Sequence, residues 1–79
     1  MLNIFGGAIM IKFTLDYVMF HSGNIKVTEL ARLSGINKNT LYAIYNNKSK
    51  RIDLDVIDRI CATLNCTPGD LIQYIPDNY

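Results

Sequence analysis

Turn-forming residues interrupt this chain at close intervals. Gly6-Gly7, Ser22-Gly23-Asn24, Ser34-Gly35, Asn46-Asn47, Ser49-Lys50 and Thr67-Pro68-Gly69 cut it into short stretches, several with apolar residues at helical spacing. Five short helices follow from that pattern. In Thr14–His21, Leu15, Val18 and Met19 share a face, with Thr14 as cap and Phe13 stapled to Val18. In Val27–Leu33, Val27, Leu30 and Ala31 share a side behind Lys26, a poor capping residue. In Lys38–Tyr45, Asn37 caps, Ile36 staples to Leu41, and Leu41 and Ile44 point inward. In Leu54–Leu64, Asp53 caps, Ile52 staples to Ile57, and Leu54, Ile57, Ile60, Cys61 and Leu64 form one stripe. A last turn begins at Thr67-Pro68, with Asp70 completing a box-like pair and Leu71 and Ile72 buried.

Short helices with short connections make an all-α domain. With 79 residues the chain is one thin-cored domain, burying only ~60% of its unfolded surface. Residues 10–75 form that domain, 1–9 an N-terminal extension and 76–79 a tail. Met10–Phe13 and Gln73–Ile75, rich in Ile, Phe and Tyr, either pair as a two-stranded ribbon or lie as extended arms. The apolar run Met1–Ile11 falls short of the ~20 residues that span a bilayer. It also lacks a basic leader segment, so a soluble, cytoplasmic protein is expected.

Catalytic and metal chemistry find little support. There is one histidine, no phosphate-cradling glycine loop and no Ser/His/Asp set. Neither an enzyme, nor a cofactor, nor a small-molecule ligand is expected. Cys61 and Cys66 read as small buried hydrophobes rather than metal or redox groups. Asp53, Asp55 and Asp58 cluster at a helix start, where carboxylates are stabilising, and His21 suits the C-terminal end of its helix.

The informative stretch is Val27 to Asn46, VTELARLSGINKNTLYAIYN, which reads as two helices joined by a tight turn. Ala31 is small enough to let the second helix approach, Gly35 suits a positive φ, and Leu30, Ile36, Leu41 and Ile44 fill the space between. In this register the sequence resembles the helix-turn-helix domain of the Cro and phage-repressor type, the XRE-like regulators. It is most similar to a small bacterial subgroup ending in a pattern like CxxLNCxPGDL, here Cys61 to Leu71. The resemblance runs from about Met10 to Tyr74. It implies a compact five-helix, lambda-repressor-like fold whose second and third helices read operator DNA, usually as a dimer on two half-sites. It departs from the family at Val27, where relatives often carry a phosphate-contacting Gln, at Lys26, where they carry a small cap, and at Tyr45-Asn46-Asn47 in place of Glu-Asn-Gly. Lys26 is the expected substitute for that phosphate contact, and Asn tolerates the left-handed turn.

Charge gives a separate argument. Between Ser22 and Arg51, six cations face Glu29 alone, a net of +5, while the remainder nets −4, in a protein of overall charge +1. DNA affinity rests on phosphate neutralisation, so the basic segment marks the expected interface. Lys38, Asn39, Tyr42 and Ala43 are the expected base contacts: Asn39 to an adenine edge, Lys38 to a guanine or phosphate, Tyr42 and Ala43 to thymine methyls, with a phosphate also open to Tyr42. Lys26, Val27, Asn37, Thr40, Asn46, Asn47, Lys48, Lys50 and Arg51 are expected on the sugar–phosphate backbone. Taken alone, the run Lys48–Arg51 is an ordinary solvated loop, and Tyr42 and Tyr45 fit a core or dimer role as well.

These readings lead to a prokaryotic or phage transcriptional regulator, a repressor rather than an activator, binding double-stranded operator DNA as a homodimer. The alternative is a protein-interaction module on the same fold, an antitoxin or anti-repressor partner. Association of the apolar lead with a membrane surface is a weaker third reading.

Overall fold

The computed structural model describes residues 11–74. The elements run β1 (Ile11–Phe13), α1 (Leu15–His21), α2 (Val27–Ser34), α3 (Lys38–Tyr45), α4 (Leu54–Leu64), α5 (Pro68–Leu71) and β2 (Ile72–Tyr74). The helices fall where the spacing places them. β1 and β2 pair antiparallel, with Ile11 opposite Tyr74, Lys12 opposite Gln73 and Phe13 opposite Ile72. Met10 and Ile75, which the sequence reading adds to these strands, lie outside the described residues, as do the 1–9 lead and the 76–79 tail.

The core is built from the inner faces of the helices. Leu15, Leu30, Leu41 and Ile60, one from each of the four longer helices, are fully buried, and Val18, Met19, Val27, Ile36, Ile44, Leu64 and Leu71 surround them. Among the described residues no polar or charged side chain is buried. The burial of such apolar side chains, at ~1.5–3 kcal/mol each, is the main force holding the helices together.

Four expectations need correction, the first being Ile72, which is half-buried in β2 rather than buried in the last helical turn. Leu54 is 82% exposed rather than part of the α4 stripe. The buried line of that helix runs through Ile60 and Leu64, and at 100° per residue Leu54 lies roughly 100° away from it. Val56, on the other flank, is half-buried against the core instead. Thr14 does not cap α1; its Oγ1 donates to the carbonyl of Asp70 at 2.6 Å and its N–H to the carbonyl of Leu71 at 2.7 Å. The hydroxyl therefore fastens the start of α1 to α5. Asp53 makes no side-chain cap either; its backbone carbonyl accepts from Val56 and Ile57.

The turn chemistry follows the sequence closely. Gly35 ends α2 at φ +75° and donates to the carbonyl of Ala31 at 3.0 Å. Ser34 Oγ donates to Leu30 and accepts from the N–H of Ile36, closing the same turn. At α5 the N–H and hydroxyl of Thr67 both donate to Asp70 Oδ2, at 3.0 and 3.1 Å.

Candidate nucleic-acid interface

α3 has two unlike faces. Leu41 and Ile44 are buried in the core and hold the helix in place. Lys38, Asn39, Thr40 and Tyr42 are exposed, and Ala43 is half-buried. At its start, Asn37 Oδ1 accepts from the N–H of Asn39 at 2.7 Å, which satisfies one of the helix's unpaired donors. At its far end the carbonyl of Ala43 accepts from Lys48 at 2.8 Å and from Ser49 at 3.2 Å, so the chain curls back over the last turn. That curl brings Lys48, Lys50 and Arg51, all exposed, beside the C-terminal end of α3.

α2 presents its N-terminus without a side-chain cap, since Lys26 supplies none. A first-turn N–H has no acceptor within its own helix, so this end is open to an anion. The side chain of Val27 is itself buried in the core, 6% exposed. Its expected place on the sugar–phosphate backbone is thereby narrowed to its main chain.

The charges sort themselves by pairing. Arg32 is bound to Glu29 one turn earlier on α2, and Arg59 to Asp55 on α4 at 3.2 Å. The Arg32 guanidinium, donating to Glu29, holds that carboxyl below its ordinary pKa. Lys26, Lys38, Lys48, Lys50 and Arg51 take part in no ion pair among the described residues. The basic segment thus offers five uncompensated cations around α2, α3 and the loop after them.

Asn47 has a role inside the molecule as well. It occupies the left-handed region at φ +58°, as the turn requires. Its side chain is engaged within the molecule: Oδ1 accepts from the N–H of Phe13 at 2.7 Å and Nδ2 donates to the carbonyl of Phe13 at 3.0 Å. Asn47 is thereby a clamp between the end of α3 and β1. Asn46 beside it remains exposed. Sequence reasoning missed this clamp, because its partner lies 34 residues away.

The same junction borders a cleft of ≈ 500 Å³, lined by Lys12, Phe13, Lys50, Arg51 and Ile52 among others. Lys12, grouped by sequence with the acidic remainder, thus shares a cleft with two cations of the basic segment. Elsewhere on the surface, the His21 ring lies 4.3 Å from that of Tyr17, tilted by 49°, and 5.1 Å from that of Phe20, edge to face, at the end of α1. Cys61 and Cys66 are reduced and half-buried, and burial, with Cys61 alongside, pushes the Cys66 thiol up to about 11. No helix among the described residues is long and apolar enough to cross a membrane.

Comparison with known proteins agrees with this geometry. Over 60 residues, 76% of this chain and 71% of the relative, the sequence is 38% identical to YozG of Bacillus subtilis (strain 168), an uncharacterized HTH-type transcriptional regulator. The crystal structure of the transcriptional regulator VanUg (form II) superposes with a TM-score of 0.69 at 25% identity, covering 98% of this chain and 100% of that one. Residues 15–77 match the Cro/C1-type HTH DNA-binding domain, and with four-fifths of its length accounted for in this way the chain belongs to that family.

Proposed function

We propose that the protein is a sequence-specific transcriptional regulator that binds double-stranded operator DNA as a homodimer and reads the major groove with α3. The observation carrying this reading is the set of uncompensated cations, Lys26, Lys38, Lys48, Lys50 and Arg51, around a helix whose outer face is exposed. Asn39 reads an adenine edge and Lys38 a guanine or phosphate, with Tyr42 and Ala43 against thymine methyls. The open N-terminus of α2 receives a phosphate on the main-chain N–H of Val27, while Asn37, Thr40, Asn46, Asn47 and the cations fix register on the backbone. One half-site buries little surface, so specific binding at cellular salt calls for two copies. Repression requires nothing beyond occupancy, because a bound domain excludes polymerase from overlapping sequence. No catalytic step and no cofactor enter this function. The run Cys61–Leu71 supports placement among the small bacterial members that end in CxxLNCxPGDL.

The test is capture of genomic fragments followed by anisotropy titration of those retained. Selective binding is expected, with a log–log salt slope of ~−5 to −8 for ~6–9 phosphates neutralised. Asn39→Ala is expected to cost ~1–3 kcal/mol at one base position and leave preference elsewhere intact. A protein that retains no fragment above background, or binds with no salt dependence, contradicts the proposal and favours the protein-interaction reading.

A further inference from the structure

Resting on that DNA-binding reading, we propose that Lys12 on β1 is a backbone-phosphate contact, so that the interface extends beyond the helix-turn-helix onto the terminal ribbon. Three observations carry it. Lys12 is exposed and lines the same cleft as Lys50 and Arg51, although 38 positions separate it from Lys50 in the sequence. No carboxylate lines that cleft among the described residues, and Lys12, like Lys50 and Arg51, takes part in no ion pair there. The strand that carries it is held at fixed register. Asn47 grips both the N–H and the carbonyl of Phe13, the next residue, and the N–H of Thr14 is fixed to Leu71.

Three cations converging on one cleft without a counter-charge repel one another, and an anion bound among them relieves that repulsion. A sugar–phosphate strand passing the loop after α3 supplies one. Phosphates recur along a strand, so a lysine beside two loop cations meets the same strand the loop holds. The apolar part of the cleft wall, Phe13 and Ile52, suits the deoxyribose faces between them. Asn47 then acts as a positioning residue: it ties the end of the reading helix to the strand bearing the extra cation. A flexible ammonium point charge reads no base, so the contact adds affinity without sequence preference.

The experiment is anisotropy with a fluorescein-labelled duplex of about 30 base pairs and mixed sequence, titrated between about 50 and 200 mM salt. Full-length protein is compared with Lys12→Gln, Lys12→Arg and the control Arg59→Gln, whose guanidinium is paired with Asp55 and lines no part of the cleft, after thermal melts establish that each is folded. Lys12→Gln is expected to reduce the steepness of the salt slope by about 0.9 per protomer, while Lys12→Arg and Arg59→Gln retain the parental slope. A Lys12→Gln slope equal to that of the parent overturns the contact and leaves the DNA-binding reading standing. So does an equal loss in Arg59→Gln, which assigns the effect to overall charge. A parent protein that fails to bind duplex DNA at low salt removes the DNA-binding reading, and the Lys12 contact with it.

Discussion

Asn47 performs two tasks that substitution can separate. Its backbone sits at φ +58°, and its amide makes two hydrogen bonds to Phe13, at 2.7 and 3.0 Å. Replacement by glycine removes the bonds and keeps the conformation accessible. Replacement by alanine removes the bonds and also forces a Cβ into the left-handed region. Each bond contributes ~0.5–1.5 kcal/mol, and both are exposed, which favours the lower half of that range. Asn47→Gly is therefore expected to cost about 1–2 kcal/mol. The left-handed penalty for a residue with a Cβ is roughly 1–2 kcal/mol, so Asn47→Ala is expected to cost about 2–4 kcal/mol. For a domain of this size the total stability is about 4–12 kcal/mol, so the second variant loses a large share of it.

Equilibrium urea unfolding resolves the two values, and thermal melting gives a parallel reading of about 4–8 °C per kcal/mol. Asn47→Asp adds a third point. It keeps an acceptor for the Phe13 N–H but loses the donor to the Phe13 carbonyl, and is expected between the parent and the glycine variant. If Asn47→Gly unfolds at the same urea concentration as the parent, the clamp contributes nothing and the reasoning from the hydrogen bonds is wrong. If glycine and alanine cost the same, the conformational part of the argument is wrong and the bonds carry the whole effect.

Other positions give equally direct outcomes. Gly35→Ala is expected to destabilise by about 1–2 kcal/mol in a urea titration. The added Cβ would meet only Arg59 Nη1, at an unstrained 3.6 Å, so the cost is conformational, and Gly35→Asn should recover part of it. Leu54→Ser, at a site 82% exposed, is expected within about 0.5 kcal/mol of the parent; a loss near 2 kcal/mol would restore Leu54 to the core. The Cys66 thiol is pushed up to about 11, so it is mostly protonated at neutral pH and should alkylate with iodoacetamide more slowly than in urea. The linkage sign is fixed by the direction of that shift: its contribution is complete below the unfolded thiol pKa and declines as pH rises toward 11, so the melting temperature should fall over that window more in the parent than in Cys66→Ala.

Local chemistry was legible in the sequence and long-range pairing was not. Gly35, Asn47 and the Thr67-Pro68 start each announce a backbone conformation through their own side chain or its absence, and the helices bounded by them follow. The inner residues of α3, Leu41 and Ile44, are readable for the same reason, since period alone separates them from Lys38 and Asn39. Thr14 and Asn47 defeated this reasoning. Both are good local hydrogen-bonding residues, yet their side chains serve partners 56 and 34 positions away. Leu54 failed differently. Helical period admits a margin residue to a stripe, and only the placement of the neighbouring helices shows that the stripe is centred on Ile60 and Leu64. Lys12 was assigned by its sequence neighbours to the acidic remainder, whereas the ribbon carries it to the basic loop.

An interface made of uncompensated cations has a consequence for stability, and salt exposes it. In the free protein, Lys12, Lys26, Lys38, Lys48, Lys50 and Arg51 have no ion-pair partners among the described residues, while Arg32 and Arg59 do. Mutual repulsion among neighbouring like charges lowers the stability of the folded state, and salt screens it over a Debye length of ≈ 8 Å at physiological strength. The free protein is therefore expected to melt higher as salt rises from about 50 to 200 mM. Bound DNA reverses the sign. Ligand at about 1,000 times its dissociation constant stabilises by ~4 kcal/mol, and a slope near −5 weakens binding about a thousandfold over the same salt range, leaving under ~0.5 kcal/mol. Differential scanning fluorimetry with and without duplex DNA should give two melting curves that converge as salt increases, the free one rising and the bound one falling. Parallel curves would mean that the cations are no anion site. A free protein whose melting does not change with salt would mean that its unpaired charges are too far apart to repel, and one that melts lower would mean that attraction outweighs repulsion; in either case the clustering inferred around α3 would fail.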